Sequence, residues 1–151
     1  MRDIKTNLLD MVIVLWCQRW REAYQHDFAA RIDWTTADRF QDANHNPIAG
    51  FAGDTSRGVV HLTARSGEAV QLDATGTTDP DGDQVSVGWF QYKEVGSLEI
   101  DLKIEVQSDL AASFVAPQVE QVESVHIILE AKDSGEPCLY NYRRIVVEIQ
   151  P

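Results

Sequence analysis

A chain of 151 residues has room for one ordinary domain and an appendage. Its formal charge of −11 argues against nucleic acid and anionic membrane surfaces, both of which require positive charge, but leaves neutral polysaccharide open as a partner. Hydrophobic content of 44% is enough for a packed core and excludes a disordered chain.

At the N-terminus a short apolar run, Met11 to Trp16, follows Arg2 and Lys5 in loose imitation of a signal peptide. Asp10 interrupts it and no small-residue cleavage site follows, so an export signal is expected further upstream. The run is also too short to span a bilayer. Leu8 to Ile32 reads as one helix, in which Trp16, Trp20, Tyr24, Phe28 and Ile32 recur every four residues. A stripe so aromatic needs a partner surface, either the chain's own sheet, a further domain or a second copy of the chain. A sugar-stacking platform is the alternative, and the packed face is preferred because repeated i, i+4 aromatics are its ordinary pattern. The resulting expectation is an interface through Trp16, Trp20, Tyr24 and Phe28, with a homodimer as one outcome.

Residues 35–54 carry Asn44, Asn46, Pro47, Gly50 and Gly53 without a sustained period, and are expected to be a linker. His45 stands alone in it, which suits solvent better than a metal. Beyond it, strand signals recur about every ten residues. They fall at Gly58–Ala64, Glu68–Asp73, Gln84–Tyr92, Leu98–Val106, Ser113–Val115, Ser124–Ala131 and Tyr140–Ile149. Leu98, Ile100, Leu102, Ile104 and Val106 alternate most strictly with polar residues. Trp89, mid-strand, is expected to plug the core between two sheets. The fold class is therefore mainly β: an immunoglobulin-like β-sandwich of about seven strands, preceded by an N-terminal amphipathic α-helix.

Between the second and third strands lies D-P-D-G-D, Asp79 to Asp83. Alternating carboxylates on a loop are oxygen ligands of the kind calcium prefers, and Asp73 and Asp133 would join if loops meet at one end of the sandwich. The EF-hand spacing fails, since Phe90 stands where the bidentate glutamate belongs. A turn that bonds its own backbone is the competing reading. Opposite the inward residues, Phe90, Tyr92, Tyr140 and Tyr142 share an outer face that could stack on glucose rings or receive the aromatic helix. The second is preferred. His26, His45, His61 and His126 are scattered, and Cys17 and Cys138 read as lone buried thiols. No nucleophile, zinc or phosphate-loop motif is present.

The run LDATGTTDPDGDQVSVGWFQY, Leu72 to Tyr92, resembles the strand–DPDGD–strand–Trp signature of PKD-like and cadherin-like immunoglobulin-fold modules in bacterial surface and carbohydrate-active proteins. HIILEAKDSGEPCLYNYRRIVVEI, His126 to Ile149, resembles the end of a bacterial cellulose-binding protein family. That family joins a nucleoside hydrolase-like domain to an immunoglobulin-like C-terminal domain. RWREAYQHDFAARIDW, Arg19 to Trp34, resembles the tail of the hydrolase-like domain. The resemblance implies residues 1–34 as that tail, 35–54 as linker and 55–151 as the sandwich. It also implies an extracellular or periplasmic location, a polysaccharide such as cellulose and the chain's own hydrolase-like domain as partners, and a fragment lacking the catalytic body. The hydrolase aspartate fingerprint is missing, so no catalytic residues and no cofactor beyond calcium are expected.

Overall fold

The computed structural model describes residues 20–151. Seven strands form two sheets. They are β1 (Val60–Arg65), β2 (Ala69–Asp73), β3 (Ser86–Gln91), β4 (Glu105–Val106), β5 (Ala111–Val115), β6 (Glu123–Lys132) and β7 (Tyr140–Gln150). One sheet runs β1-β7-β6-β3 and the other β2-β5-β4. All ladders are antiparallel except β1 on β7, which are parallel from Val60↔Ile145 to Arg65↔Gln150. The inward residues Val125, Ile127, Leu129, Ile145, Val147 and Ile149 of one sheet meet Val70, Leu72, Ala112 and Phe114 of the other, all buried. Each large one contributes roughly 1.5–3 kcal/mol by leaving water.

Trp89 is half-buried rather than enclosed, packing at the core's rim with its ring 6.4 Å from that of Phe51. Strand β3 is an edge strand, so one flank of the indole has no neighbouring strand to cover it. Phe114, 2% exposed, fills the centre instead.

The alternating segment Leu98–Val106 is paired only at β4. Leu98 is buried and Leu102 and Ile104 half-buried, but Ile100 and Val106 are exposed, so the alternation neither pairs a strand throughout nor marks one inward face. The Gln91 side chain stands in for a ladder here: its Nε2 donates to the Ile100 carbonyl at 3.0 Å, and its Oε1 accepts from Leu102 N–H at 2.9 Å.

The helical part within the described residues, α1, covers Arg21–Thr36. It passes the expected end at Ile32, and Thr35 and Thr36, expected in the linker, are helical. Thr35 and Thr36 hydroxyls bond the carbonyls of Ile32 and Asp33, closing the last turn. The expected helix start at Leu8, and with it Trp16, lies outside the described residues.

The segment expected to be a linker is fastened to the sandwich. Ile48 and Thr78 exchange backbone bonds of 2.7 and 3.1 Å, and Ala52 and Gly53 donate to the carbonyls of Asp73 and Thr75. Ala49 and Phe51 are in the core. Gly50 lies so close to Gly76 that a Cβ would sit 2.3 Å from the Gly76 carbonyl carbon. Arg143, buried on β7, holds Asp54 Oδ2 at 2.5 Å, Ser56 Oγ at 3.1 Å and the Asp54 carbonyl. The Ser56 backbone N–H and Arg143 together pull the Asp54 carboxyl down to a pKa of about 2. Asn, Gly and Pro mark irregular backbone, but they do not imply a loose tether.

Candidate functional site

The outer face of the four-stranded sheet is built by register. Phe90 pairs with Ile128, and Ile128 with Arg144; Glu130 pairs with Tyr142, and Lys132 with Tyr140. Phe90, Tyr142 and Tyr140 thereby converge on one patch, with Tyr140 and Tyr142 stacked at 6.3 Å. Tyr92 follows Phe90 on the same parity and donates its N–H to the His126 carbonyl at 2.7 Å, one pair further along. Burial drives the Tyr142 hydroxyl well above its ordinary pKa, with the Glu130 carboxylate adding to it.

Helix α1 lies on this patch. Trp20 meets Tyr142 edge-on at 4.6 Å and Phe90 at 5.8 Å. Glu22 accepts from the Tyr140 hydroxyl at 2.8 Å and pairs with Lys132 at 3.5 Å, and the Tyr140 bond leads in lowering its carboxyl pKa. Burial raises Tyr140 to about 12. Further along, His26 Nδ1 sits 2.8 Å from the Cys138 carbonyl, Ala30 is fully buried, and Trp34 Nε1 donates to the Asn44 carbonyl at 2.7 Å. The spacing of His26, Ala30 and Trp34 is the i, i+4 and i, i+8 of one helical face. The stripe expected to pack is turned away: Tyr24, Phe28 and Ile32 are 54%, 66% and 49% exposed. Of the interface residues, Trp20 alone among those described touches the sheet aromatics; polar groups one step around the helix make the other contacts.

The acidic loop has a different economy from the expected ligand shell. Asp79 Oδ1 accepts from the N–H groups of Asp81 and Asp83 at 2.8 and 3.1 Å, while its buried Oδ2 has no partner. Asp81 turns to His45, taking its backbone N–H at 2.7 Å and Nδ1 at 3.1 Å. His45 is not in open solvent: it is stacked between Trp34 and Phe40. Asp73 spends both oxygens on Thr75. Asp133, buried, takes Gly135 N–H, Leu139 N–H and Asn44 Nδ2 at 2.8–3.0 Å. Burial, then the charges of Asp79, Asp133 and Asp81, raises the Asp83 pKa. Asp79 Oδ2 and Asn44 Oδ1 are buried without a partner, and Asn44, Asp81 and Asp83 line a cleft of about 650 Å³ together with Phe40, Asp42 and Glu136. Carboxylate oxygens are the donor type calcium prefers, but among the described residues these aspartates do not bring three ligand atoms together around one point.

His126, half-buried on β6, has its pKa lowered by burial and then by the charges of Arg144 and His61. No motif announces Arg143 or the pairing of His45 with Asp81, because the partners lie 36 or more positions away. No helix among the described residues is long and apolar enough to cross a membrane.

These features define an immunoglobulin-like β-sandwich carrying a helix on its four-stranded sheet. Residues 69–149 match the family described as cellulose-binding protein Sde0182, C-terminal domain, which is more than half of the 151 residues, and the chain belongs to that family. It superposes with a TM-score of 0.83 and 37% identity on a solved nucleoside hydrolase-related hypothetical protein from Saccharophagus degradans, associated with carbohydrate metabolism. That match covers 87% of this chain and 32% of the other, so the chain spans about a third of that protein's length. A 2,6-sialyltransferase from Photobacterium sp. JT-ISH-224 matches at a TM-score of 0.42 and 14% identity, over 62% of this chain and 17% of the other. No curated protein matches the chain.

Proposed function

We propose that this chain is a non-catalytic accessory domain of an exported, cellulose-associated protein, and that it positions a nucleoside hydrolase-like domain through helix α1. The observation that carries this reading is the helix's division of labour. One face is committed to the sandwich, while Tyr24, Phe28 and Ile32 stand together on the other, each about half exposed or more. At roughly 150–250 Å² for a large aromatic side chain, the exposed part of the stripe is on the order of 300 Å². Covering it is worth about 7 kcal/mol before ordering costs, at roughly 25 cal/mol per Å². The S. degradans protein is hydrolase-related and about three times the length of the matched part, which supports a parent domain as the occupant.

Sedimentation of this chain with the hydrolase-related portion of that relative tests the reading. A one-to-one complex that Phe28→Glu abolishes is the expected result. Self-association instead would assign Trp16, Trp20, Tyr24 and Phe28 to a homodimer, and no association would refute the positioning role.

A second reading, polysaccharide binding through Phe90, Tyr92, Tyr140 and Tyr142, is favoured by the family's description and by the gathering of three of these rings on one face. Trp20 covers Phe90 and Tyr142, so a glucan on this face would have to displace it. Retention on microcrystalline cellulose at micromolar protein, lost in Tyr140→Ala, is its test. Calcium held by Asp79 and Asp83, with Asp73, Asp81 and Asp133 around it, would stiffen the loop beside the cleft under either reading.

A further inference from the structure

The geometry points to a transition-metal site, of the kind that takes zinc, formed by Glu22, His26 and Cys138 where helix α1 meets the turn between β6 and β7. Glu22 and His26 are one helical turn apart and so project side by side. Cys138 reaches them from the far end of the chain. Cys138 Sγ lies 3.3 Å from His26 Nδ1 and 3.9 Å from a Glu22 oxygen, and the three ligand atoms all fall within 4.8 Å of one another. Tetrahedral zinc with bonds of about 2.3 Å to sulfur and about 2.0–2.1 Å to nitrogen and oxygen separates its ligands by roughly 3.3–3.5 Å. The observed edges bracket that length, so closing on an ion requires only small side-chain movements. Among the described residues this is the one group of three such side chains so arranged.

The donor set selects the metal. One thiolate, one imidazole and one carboxylate suit zinc and its neighbours in the transition series, and are a poor match for calcium or magnesium. The carboxylate is already oriented by the Tyr140 hydroxyl at 2.8 Å, the usual role of an outer partner to a ligand. Binding has identifiable local costs. His26 Nδ1 must give up its contact with the Cys138 carbonyl at 2.8 Å, its proton moving to Nε2, and Lys132 must yield Glu22, 3.5 Å away. The Cys138 thiol releases one proton to solvent. Three protein ligands leave a fourth position for water, and the ion would staple the helix to the sandwich independently of what covers its outer stripe.

Cobalt(II) titrated into the reduced full chain is the test, read by the near-ultraviolet thiolate-to-cobalt charge-transfer absorption. A band saturating at one equivalent and displaced by zinc is expected in the parent and in Cys17→Ser. Cys138→Ser should abolish it, and His26→Gln and Glu22→Gln should each weaken binding about tenfold or more, since losing even an outer-shell partner of a ligand costs roughly 10–100-fold. Thermal melts without metal establish that each variant is folded. No band in the parent, or a band that survives Cys138→Ser, overturns the proposal; so does unchanged affinity in both folded His26→Gln and folded Glu22→Gln.

Discussion

Replacing Asp133 by alanine should loosen the turn between β6 and β7 more than any surface change of similar size. The carboxylate is 4% exposed and accepts Leu139 N–H at 2.8 Å, Gly135 N–H at 3.0 Å and Asn44 Nδ2 at 3.0 Å, while its own N–H returns a bond to the Leu139 carbonyl. Leu139 is fully buried, so its orphaned N–H cannot turn to water, whereas Gly135 and Asn44 are half-buried and recover part of their loss. At roughly 1–3 kcal/mol for each buried donor left without an acceptor, the sum is about 3 kcal/mol. Relief of the charge crowding on Asp83, of which Asp133 is one source, offsets a fraction of this. For a chain of this size about 1 kcal/mol moves the melting temperature by about 2–4 °C, so a fall of about 6–12 °C is expected by circular dichroism at neutral pH. Asp133→Asn keeps one carbonyl oxygen and should lose about half as much. If Asp133→Ala melts within about 3 °C of the parent, the turn finds other acceptors and the anchoring role is wrong.

Gly50→Ala should be severely destabilising, by about 3 kcal/mol or more, because the new methyl meets Gly76 backbone with no side chain able to move aside; a soluble variant with a parental melt would refute the close approach. Asp54 should contribute to acid stability. Its folded pKa is depressed to about 2 from an ordinary 3.8, so its contribution is present above about pH 4 and lost as the pH falls towards 2. Asp54→Asn should therefore flatten that part of the stability curve, and identical acid profiles for parent and variant would remove Asp54 from the account. Millimolar calcium should raise the melting temperature by mass action and reverse with chelator. Asp79→Asn should remove the effect; an unchanged melt leaves the DPDGD segment a self-bonded turn.

Period-2 alternation located most of the strands because each strand exposes one face to the core, and Val125, Ile127 and Leu129 lie inside as that pattern requires. The same signal misled at Leu98–Val106, where side chains alternate but a glutamine side chain replaces the neighbouring strand. Helical periodicity located a helix, and Trp20 of its stripe packs on the sheet while Tyr24, Phe28 and Ile32 stay exposed. The rest of the docking is carried by the buried Ala30 and by Glu22 and His26, whose partners are Tyr140, Lys132 and the Cys138 carbonyl. Those partners are remote in sequence. Glu22 and His26 carry a local one-turn spacing, but Cys138 lies 112 positions beyond His26, and only the fold brings it there.

The parallel pairing of β1 with β7 has a mechanical consequence. A load entering ahead of Val60 and leaving at Gln150 pulls the two strands lengthwise past each other, because their six paired positions run in the same direction. Under that shear the bonds between them share the force and must fail together, whereas a hairpin pulled open at one end gives them up singly. Resistance to pulling is governed by the rate of unfolding rather than by equilibrium stability. Tension applied between those two points would therefore be met first by this short ladder.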